Sequence, residues 1–387
     1  MTSIREFLKR QFSSTPPPPL AAGTYHYQAP PDAELPYRLH LRVEPDGDGV
    51  LILNASTVMH LNPTATEYAY HLVQGTPDDD AAKAIAERYR VRVSQAKKDY
   101  RDLKERLMTL VSTPDLDPVT YLNFDRFAPY SQPVSAPFRL DCALTYHLPD
   151  GTNPEYAPTK RVERELTTEE WKAILDKAWQ AGIPHVVFTG GEATLRGDLP
   201  ELIRYAEQLG QVSGLLTDGR KLGNPDYLNE ILQTGLDHIM LNLRPENLDV
   251  AAALSNALSA DISLVVHLTI TPENAARMSW VVDKLAESDI RAISLTATDD
   301  TLRTTLEHLR DHAATQGLTL VWDLPVPYST FNPVTLETDT EAQPDGAGRA
   351  WLYVEPDGDV LPAQGVNQVL GNFLHDSFES IWKAAGR

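Results

Sequence analysis

Apolar and polar residues change period several times along the chain, and each change predicts an element. Between residues 37 and 61 the apolar positions alternate in short runs, YRLHLRVE, GVLILNAS and TVMHL. The polar Pro45-Asp46-Gly47-Asp48-Gly49 separates the first two, which predicts a hairpin followed by another strand. A helical run follows, closed by Gly75, and then two more helices; in the last of these Tyr100, Leu103, Leu107, Leu110 and Val111 share one face. Residues 112–135, rich in Pro, Ser and Asp, break the periodicity and mark a boundary. Beyond them strand-like runs recur at Phe138–Thr145, His185–Thr189, Ser213–Thr217, His238–Leu243, Ser263–Thr269 and Ala292–Thr296, with a further strand at Leu318–Asp323. Helical patterns lie between them, one opened by a capping box at Thr167–Glu170 ahead of Trp171, Ile174, Leu175 and Ala178. Alternation of strand and helix on this scale requires a parallel sheet, so the fold class is α/β and six such units predict a partial (β/α)6 barrel. A Rossmann sheet is the rival, but no Gly-x-Gly-x-x-Gly follows any strand and no Walker phosphate loop is present. The tail predicts two strands around a Pro-Asp-Gly turn. At the other end, Ile4, Phe7, Leu8 and Phe12 have helical spacing ahead of SSTPPPPL, either a short amphipathic helix on a semi-rigid arm or a disordered tail.

Within this pattern the stretch His185 to Arg220 organises the central unit. A β-branched and aromatic run ends at Gly190-Gly191-Glu192, a helix follows from Asp198, and a second apolar run ends at Thr217-Asp218-Gly219. Paired glycines allow a sharp turn or a close backbone approach to a ligand, and Glu192 falls where strands of a parallel sheet deliver functional groups.

Composition narrows the options. The chain has 387 residues, 42% hydrophobic and 23% charged, enough for two or three folded domains and a sizeable core. A formal charge of −20 argues against nucleic acid or an anionic membrane as the main partner. With neither a long apolar run nor a secretory h-region, the expected location is the cytoplasm. The single cysteine, Cys142, excludes an internal disulfide and a Cys-built zinc site, and it lies in an apolar run that suits a buried structural residue. The EPDGDG run has Thr57 at the twelfth position in place of a calcium-binding glutamate, so it reads as a turn.

Three segments carry resemblances. The unit Tyr37–Val111, with His60-Leu61-Asn62-Pro63-Thr64-Ala65 turning from strand into helix, resembles the PqqD-like family of winged-helix domains that recognise the leader of a ribosomally made precursor peptide. That resemblance implies peptide capture by strand addition to a sheet edge. Phe188-Thr189-Gly190-Gly191-Glu192-Ala193-Thr194-Leu195, followed by Leu216-Thr217-Asp218-Gly219-Arg220, resembles the radical SAM enzymes. There the glutamate contacts the amino group of S-adenosylmethionine, and neighbouring strand ends surround the rest of it. The implied pocket is Gly190, Gly191, Glu192, Thr217, Asp218, Gly219 and Asn242, with Asp218 in place of the family's asparagine and Asn242 where serine is common. The tail, with Gly371-Asn372-Phe373 and Ser380-Ile381-Trp382, resembles the SPASM or twitch extension of radical SAM peptide-modifying enzymes. The domain order is therefore 1–20 helix and linker, 21–115 PqqD-like, 116–135 linker, 136–325 partial barrel and 326–387 SPASM-like extension.

The resemblance fails at the reagent. Where the family places three cysteines around a [4Fe–4S] cluster, this chain has Leu148, Thr152 and Glu155, and at the auxiliary cluster position it has Ala363. Thiolates are the ligands such a cluster requires, and leucine has no ligand atom. No [4Fe–4S] cluster is expected. His147, Asp150 and Glu155 raise the question of another metal, although a solvated Pro-Asp-Gly turn accounts for them more simply. Two expectations follow. One is a pseudoenzyme that binds a precursor peptide, an active radical SAM partner protein, or both. The alternative is an enzyme that binds S-adenosylmethionine or a nucleotide and acts without iron, with Glu192 and His267 as the weak candidates for its base.

Overall fold

The computed structural model describes residues 19–30, 32–55, 57–113, 116, 121, 132–244, 248–337 and 343–386. The helix expected at Ile4–Phe12 and most of the 116–135 linker lie outside the described residues. The chain divides into two compact units, residues 1–126 and 127–387.

In the first unit β1 (Gly23–Gln28), β2 (Arg38–Val43), β3 (Gly49–Leu53) and β4 (Thr57–Leu61) form an antiparallel sheet in that order. Alternation puts Leu39, Leu41, Val43, Leu51, Leu53, Met59 and Leu61 into one core with Ala69 and Val73 of α1 (Pro63–Val73). Asn62 caps α1 by accepting from the Ala65 N–H at 2.9 Å, and Pro63 takes the first helical position, where its missing N–H costs nothing. Across α2 (Asp78–Tyr89) and α3 (Val93–Ser112) a second small core joins Ile85 to Tyr100. On α3, Tyr100 and Leu107 are buried while Leu103, Leu110 and Val111 are partly buried against the core. The Pro45–Gly49 run is the hairpin turn, closed by Glu44 N–H to Asp48 O at 2.8 Å. Strand β1 has no counterpart in the periodicity: it is short and largely exposed, so its existence depends on pairing with β2.

The second unit alternates strand and helix through β5 (Arg139–Thr145), α4 (Thr168–Gln180), β6 (His185–Gly190), α5 (Leu199–Leu209), β7 (Val212–Thr217), α6 (Pro225–Leu232) and β8 (His238–Asn242). It continues with α7 (Leu248–Leu258), β9 (Ser263–Ile270), α8 (Met278–Ala286), β10 (Ala292–Ala297), α9 (Arg303–Thr315) and β11 (Thr319–Leu320). These strands pair in sequence order and in parallel, the connectivity that right-handed crossovers produce. β12 (Trp351–Val354) joins the other edge parallel to β5, and β13 (Asp359–Leu361) and β14 (Gly371–Asn372) extend it antiparallel before α10 (Phe378–Ala384).

One face of this sheet, including Leu140, Cys142, Leu144, Phe188, Leu215, Ile239 and Leu241, packs with Trp171, Ile174 and Leu175 of α4 and with residues of α5 and α6. The expected capping box is present, with reciprocal bonds between Thr167 and Glu170, and it directs Trp171 fully into the core. The other face combines Val187, Leu216, Met240 and Val265 with the buried polar His267, Ser294 and Thr189. The strand expected over Leu318–Asp323 is only Thr319–Leu320. Val321 still donates to Ile293 O at 2.9 Å, but Asp323 adopts φ +65°, which ends the extended run. Among the described residues no helix is long and apolar enough to cross a membrane.

Candidate functional site

The site forms at the C-terminal ends of β5 to β8. Gly190 leaves β6 with φ +123°, and a Cβ there would lie 2.2 Å from Thr145 O; one on Gly191 would lie 2.4 Å from His147 O. The two glycines thus admit the loop after β5 at backbone distance, and Gly191 N–H and Glu192 N–H donate to Thr145 O and His147 O at 2.8 and 2.9 Å. Tyr328 N–H donates to Gly190 O from the opposite side at 2.8 Å. The close approach that the glycine pair predicts is therefore made by the chain itself.

Glu192 is buried, and its carboxylate is held by four internal donors. Oε1 accepts from Thr194 N–H at 3.0 Å, Thr194 Oγ1 at 2.6 Å and Thr217 Oγ1 at 2.8 Å; Oε2 accepts from Asp218 N–H at 2.7 Å. Burial, followed by the charge of Asp218, nevertheless pushes its pKa up to about 7.

Gly191, Glu192, Asp218 and Asn242 line a cleft with about 490 Å³ of empty space, its open mouth included, together with Leu148, Asp150, Tyr156, Arg244 and Tyr328–Thr330. Gly190, Thr217 and Gly219 stand behind them: Thr217 Oγ1 accepts from Gly219 N–H at 3.0 Å while donating to Glu192. Arg220 bridges the mouth. Its guanidinium grips Asp150 through two bonds of 2.6 and 2.5 Å, which hold the Asp150 carboxyl below its usual range, and its Nε lies 3.2 Å from Asp218 Oδ2 without hydrogen-bond alignment. Arg244 stacks on the Phe331 ring at 4.8 Å.

Residues 142–244 match the family model of the Radical SAM superfamily. This segment is similar to radical SAM domains. The chain is 27% identical over 294 residues to a PqqA peptide cyclase of Streptomyces rochei, covering 65% of this chain and 77% of that protein. It is 25% identical over 262 residues to a PqqA peptide cyclase of Xanthomonas axonopodis pv. citri, covering 57% and 67%. In fold it is similar to Streptococcus suis SuiB bound to S-adenosylmethionine, with a TM-score of 0.56 at 15% identity over 92% of this chain and 88% of that one. The same protein bound to its precursor peptide SuiA superposes with a TM-score of 0.55 at 15% identity, over 88% and 86%.

The loop after β5, where the resemblance to radical SAM enzymes places a [4Fe–4S] cluster, presents no thiolate. Leu148 lines the cleft, its Cδ2 at the Gly191 backbone. Thr152 Oγ1 lies 3.1 Å from His147 Nδ1 and accepts from Leu148 N–H at 3.4 Å, while Glu155 is exposed. Cys142 is fully buried on the helix-packed face of β5, where burial raises its thiol pKa, so it cannot reach the loop. The donor set does not fit the cluster. His147 and Asp150 are engaged by Thr152 and Arg220. Ala363 sits in an apolar cluster with Trp351, Val366, Ala347 and Ala350, and nothing there offers a ligand atom for an auxiliary cluster. A buried polar network ties the tail to the same loop: Tyr146 and Arg161 both donate to Glu355, and Arg161 and Tyr328 both donate to Glu337.

For S-adenosylmethionine the fit is better. The cleft offers apolar Leu148 and Tyr156, polar Asn242, and charges of both signs. Glu192, Asp218 and Asn242 would face such a ligand from the positions that the motifs predict. His267 does not line the cleft. It is fully buried on β9 beside hydroxyls of Ser294, Thr269 and Thr296 at 3.1–3.2 Å, and burial lowers its pKa to about 4, so it is neutral at pH 7. Sequence reasoning did not single out Arg220 and Arg244 as site residues. Arg220 sits inside a recognised motif, but its partner Asp150 is 70 residues away, and no local pattern announces Arg244.

Proposed function

We propose that this chain is a radical SAM-like pseudoenzyme that binds a ribosomally made precursor peptide, an active partner enzyme of peptide modification, or both. The observation that carries this reading is the loop after β5, where Leu148, Thr152 and Glu155 stand at the three cluster positions and the one cysteine points into the core. Without a cluster no electron reaches the sulfonium of S-adenosylmethionine, and reductive cleavage has no driving reagent.

Peptide binding is assigned to the first unit, read as PqqD-like. Its support is an antiparallel sheet on helices whose β4 edge has β3 as its partner on one side among the described residues. An edge of that kind accepts an extended peptide through main-chain hydrogen bonds. The PqqA peptide cyclases and SuiA-bound SuiB favour a precursor peptide as the ligand class. The tail is read as SPASM-like, with Phe373, Ile381 and Trp382 joining the core of the radical SAM domain.

Two measurements test the reading. Anaerobic reconstitution with iron and sulfide is expected to leave the protein colourless and free of stoichiometric iron, and a stable four-iron cluster overturns it. Calorimetry with a candidate leader peptide and pull-down of a cysteine-bearing radical SAM partner are expected to give a complex. Failure of both removes the binding role.

A second reading is favoured by the preserved Glu192 network: an enzyme that holds S-adenosylmethionine or a nucleotide and acts without iron. S-adenosylmethionine would supply an electrophilic sulfonium, and Glu192 is a candidate base on the cleft wall. Absence of binding at millimolar S-adenosylmethionine eliminates this reading.

A further inference from the structure

The acidity of the chain is not evenly spread. Residues 83–106, from within α2 to the fourth turn of α3, hold nine Lys and Arg against four Asp and Glu, in a chain of formal charge −20. Part of this excess is neutralised inside the unit: Lys97 pairs with Asp79, Arg101 with Asp78 and Arg88 with Glu67. Arg90, Arg92 and Lys98 are exposed, and among the described residues none of the three has an ion pair. Val91 and Val93, 44% and 46% exposed, alternate with the two arginines.

The fold gains little from these side chains. Arg90 ends α2 in the left-handed region at φ +55°, where glycine would be unstrained. Arg92 is the N-cap of α3, makes no side-chain bond there and has no acid in the turn that follows. A cation at that position opposes the helix dipole, whereas a carboxylate would both cap and complement it. Local rules broken together at one exposed turn point to contact with something outside the chain. The turn also lies beside the seat read for a peptide: Tyr89 Oη donates to Pro63 O at 3.3 Å, and Pro63 opens α1 directly after β4. A nucleic-acid backbone suits this surface poorly, because Glu87, Asp102 and Glu105 are exposed on the same two helices and the valines offer a phosphate nothing.

We propose that the Arg90–Val93 turn, with Lys98 on the exposed face of α3, docks an acidic peptide segment in which apolar side chains alternate with carboxylates. The inference rests on peptide capture by the first unit and deepens it by naming the charge class of the peptide and a contact outside the β4 edge.

Calorimetry on the full chain with three short synthetic peptides, alternating Glu and Val, Gln and Val, or Glu and Ser, tests it. The Glu–Val peptide is expected to bind about tenfold tighter than either of the others, and its margin over Gln–Val to shrink as salt is raised. Arg92→Asp is expected to weaken Glu–Val binding at least about fivefold while raising the urea midpoint, so that the loss cannot come from unfolding. Lys284→Glu, which makes the same change of net charge on an exposed helix of the second unit, is expected to leave the affinity within about twofold. Equal binding of the Glu–Val and Gln–Val peptides overturns the proposal, as does a Glu–Ser peptide that binds as well as Glu–Val. So do an unchanged affinity in Arg92→Asp, an equal loss in Lys284→Glu, a short DNA duplex that binds tighter than every peptide, and failure of all three peptides to bind at millimolar concentration. A lower urea midpoint in Arg92→Asp also overturns it, since Arg92 would then serve the fold. Binding of a candidate leader peptide that Arg92→Asp leaves intact removes this inference alone, whereas a wild-type chain that binds no leader peptide removes the capture reading beneath it.

Discussion

The two halves of the cleft differ in what their sequences keep and in what their side chains do. The β6 and β7 ends keep the radical SAM motifs, and their polar groups are turned inward: Thr194, Thr217 and Asp218 N–H all serve the Glu192 carboxylate. The loop after β5 departs from the motif completely, and it is fastened to the other half by backbone bonds to Gly191 and Glu192 and by the Asp150–Arg220 pair. The half that matches the family model is thus a self-supporting scaffold, and the half that does not match carries Leu148, Thr152 and Glu155 in place of thiolates. A motif can persist because the fold needs its hydrogen bonds, so its presence does not by itself report a reaction.

The largest effect expected from this contrast is on iron. Leu148, Thr152 and Glu155 have the spacing of the missing cysteines, so replacing all three with cysteine should raise iron bound after anaerobic reconstitution from near zero to about four per chain, read by metal analysis and the visible spectrum. If the triple variant takes up no iron, the whole loop geometry has departed and ligand identity is only part of the loss.

The next effect is a pH dependence of stability that originates in the matching half. Glu192 has a pKa of about 7 when folded and near the ordinary 4.5 when unfolded, so between those values the folded state binds more protons. Its contribution to stability therefore falls as pH rises from about 4.5 to 7, by roughly 3 kcal/mol in all. Glu192→Gln should remove that decline, measured as urea midpoints across the window. His267 works in the opposite sense. Its folded pKa near 4 lies below the ordinary 6.5, so its contribution is lost as pH falls through that interval, and His267→Asn should flatten the acid limb.

Smaller still is Thr217→Val, which removes one donor to the buried carboxylate and leaves the Gly219 N–H without its acceptor. A loss of about 1–3 kcal/mol is expected in denaturant titration. Smallest is Asp150→Asn in the departing half. Asp150 is largely exposed, so its pairing with Arg220 should contribute less than about 1 kcal/mol, and the change should weaken further with salt. A larger loss at Asp150 than at Thr217 would reverse the comparison between the halves.

Much of the scaffold is legible in the residues. The capping box at Thr167–Glu170, the Pro45–Gly49 turn and the strand runs of the central sheet are encoded by local propensity and period, which act over a few residues. Strand β1 and the true end of β11 are not legible locally, because the first depends on pairing with β2 and the second on a single left-handed residue at Asp323. In the site, the motifs that carry Glu192, Asp218 and Asn242 place them on the cleft lining. His267 has the chemistry of a base, but it lies buried among hydroxyls away from the cleft lining. A residue type names a capability, but only its surroundings decide whether that capability is exposed.

By itself the sequence determined the α/β class and the absence of thiolates at 148, 152 and 155, since periodicity is local and a side chain's donor atoms are part of its covalent structure. The tertiary structure alone decided that Glu192 is held by four donors from within and that Arg220 pairs with Asp150 at the cleft mouth. Those facts depend on which loops meet, and the loops after the neighbouring strands β5, β6 and β7 are brought together by a sheet order that no short stretch of sequence contains.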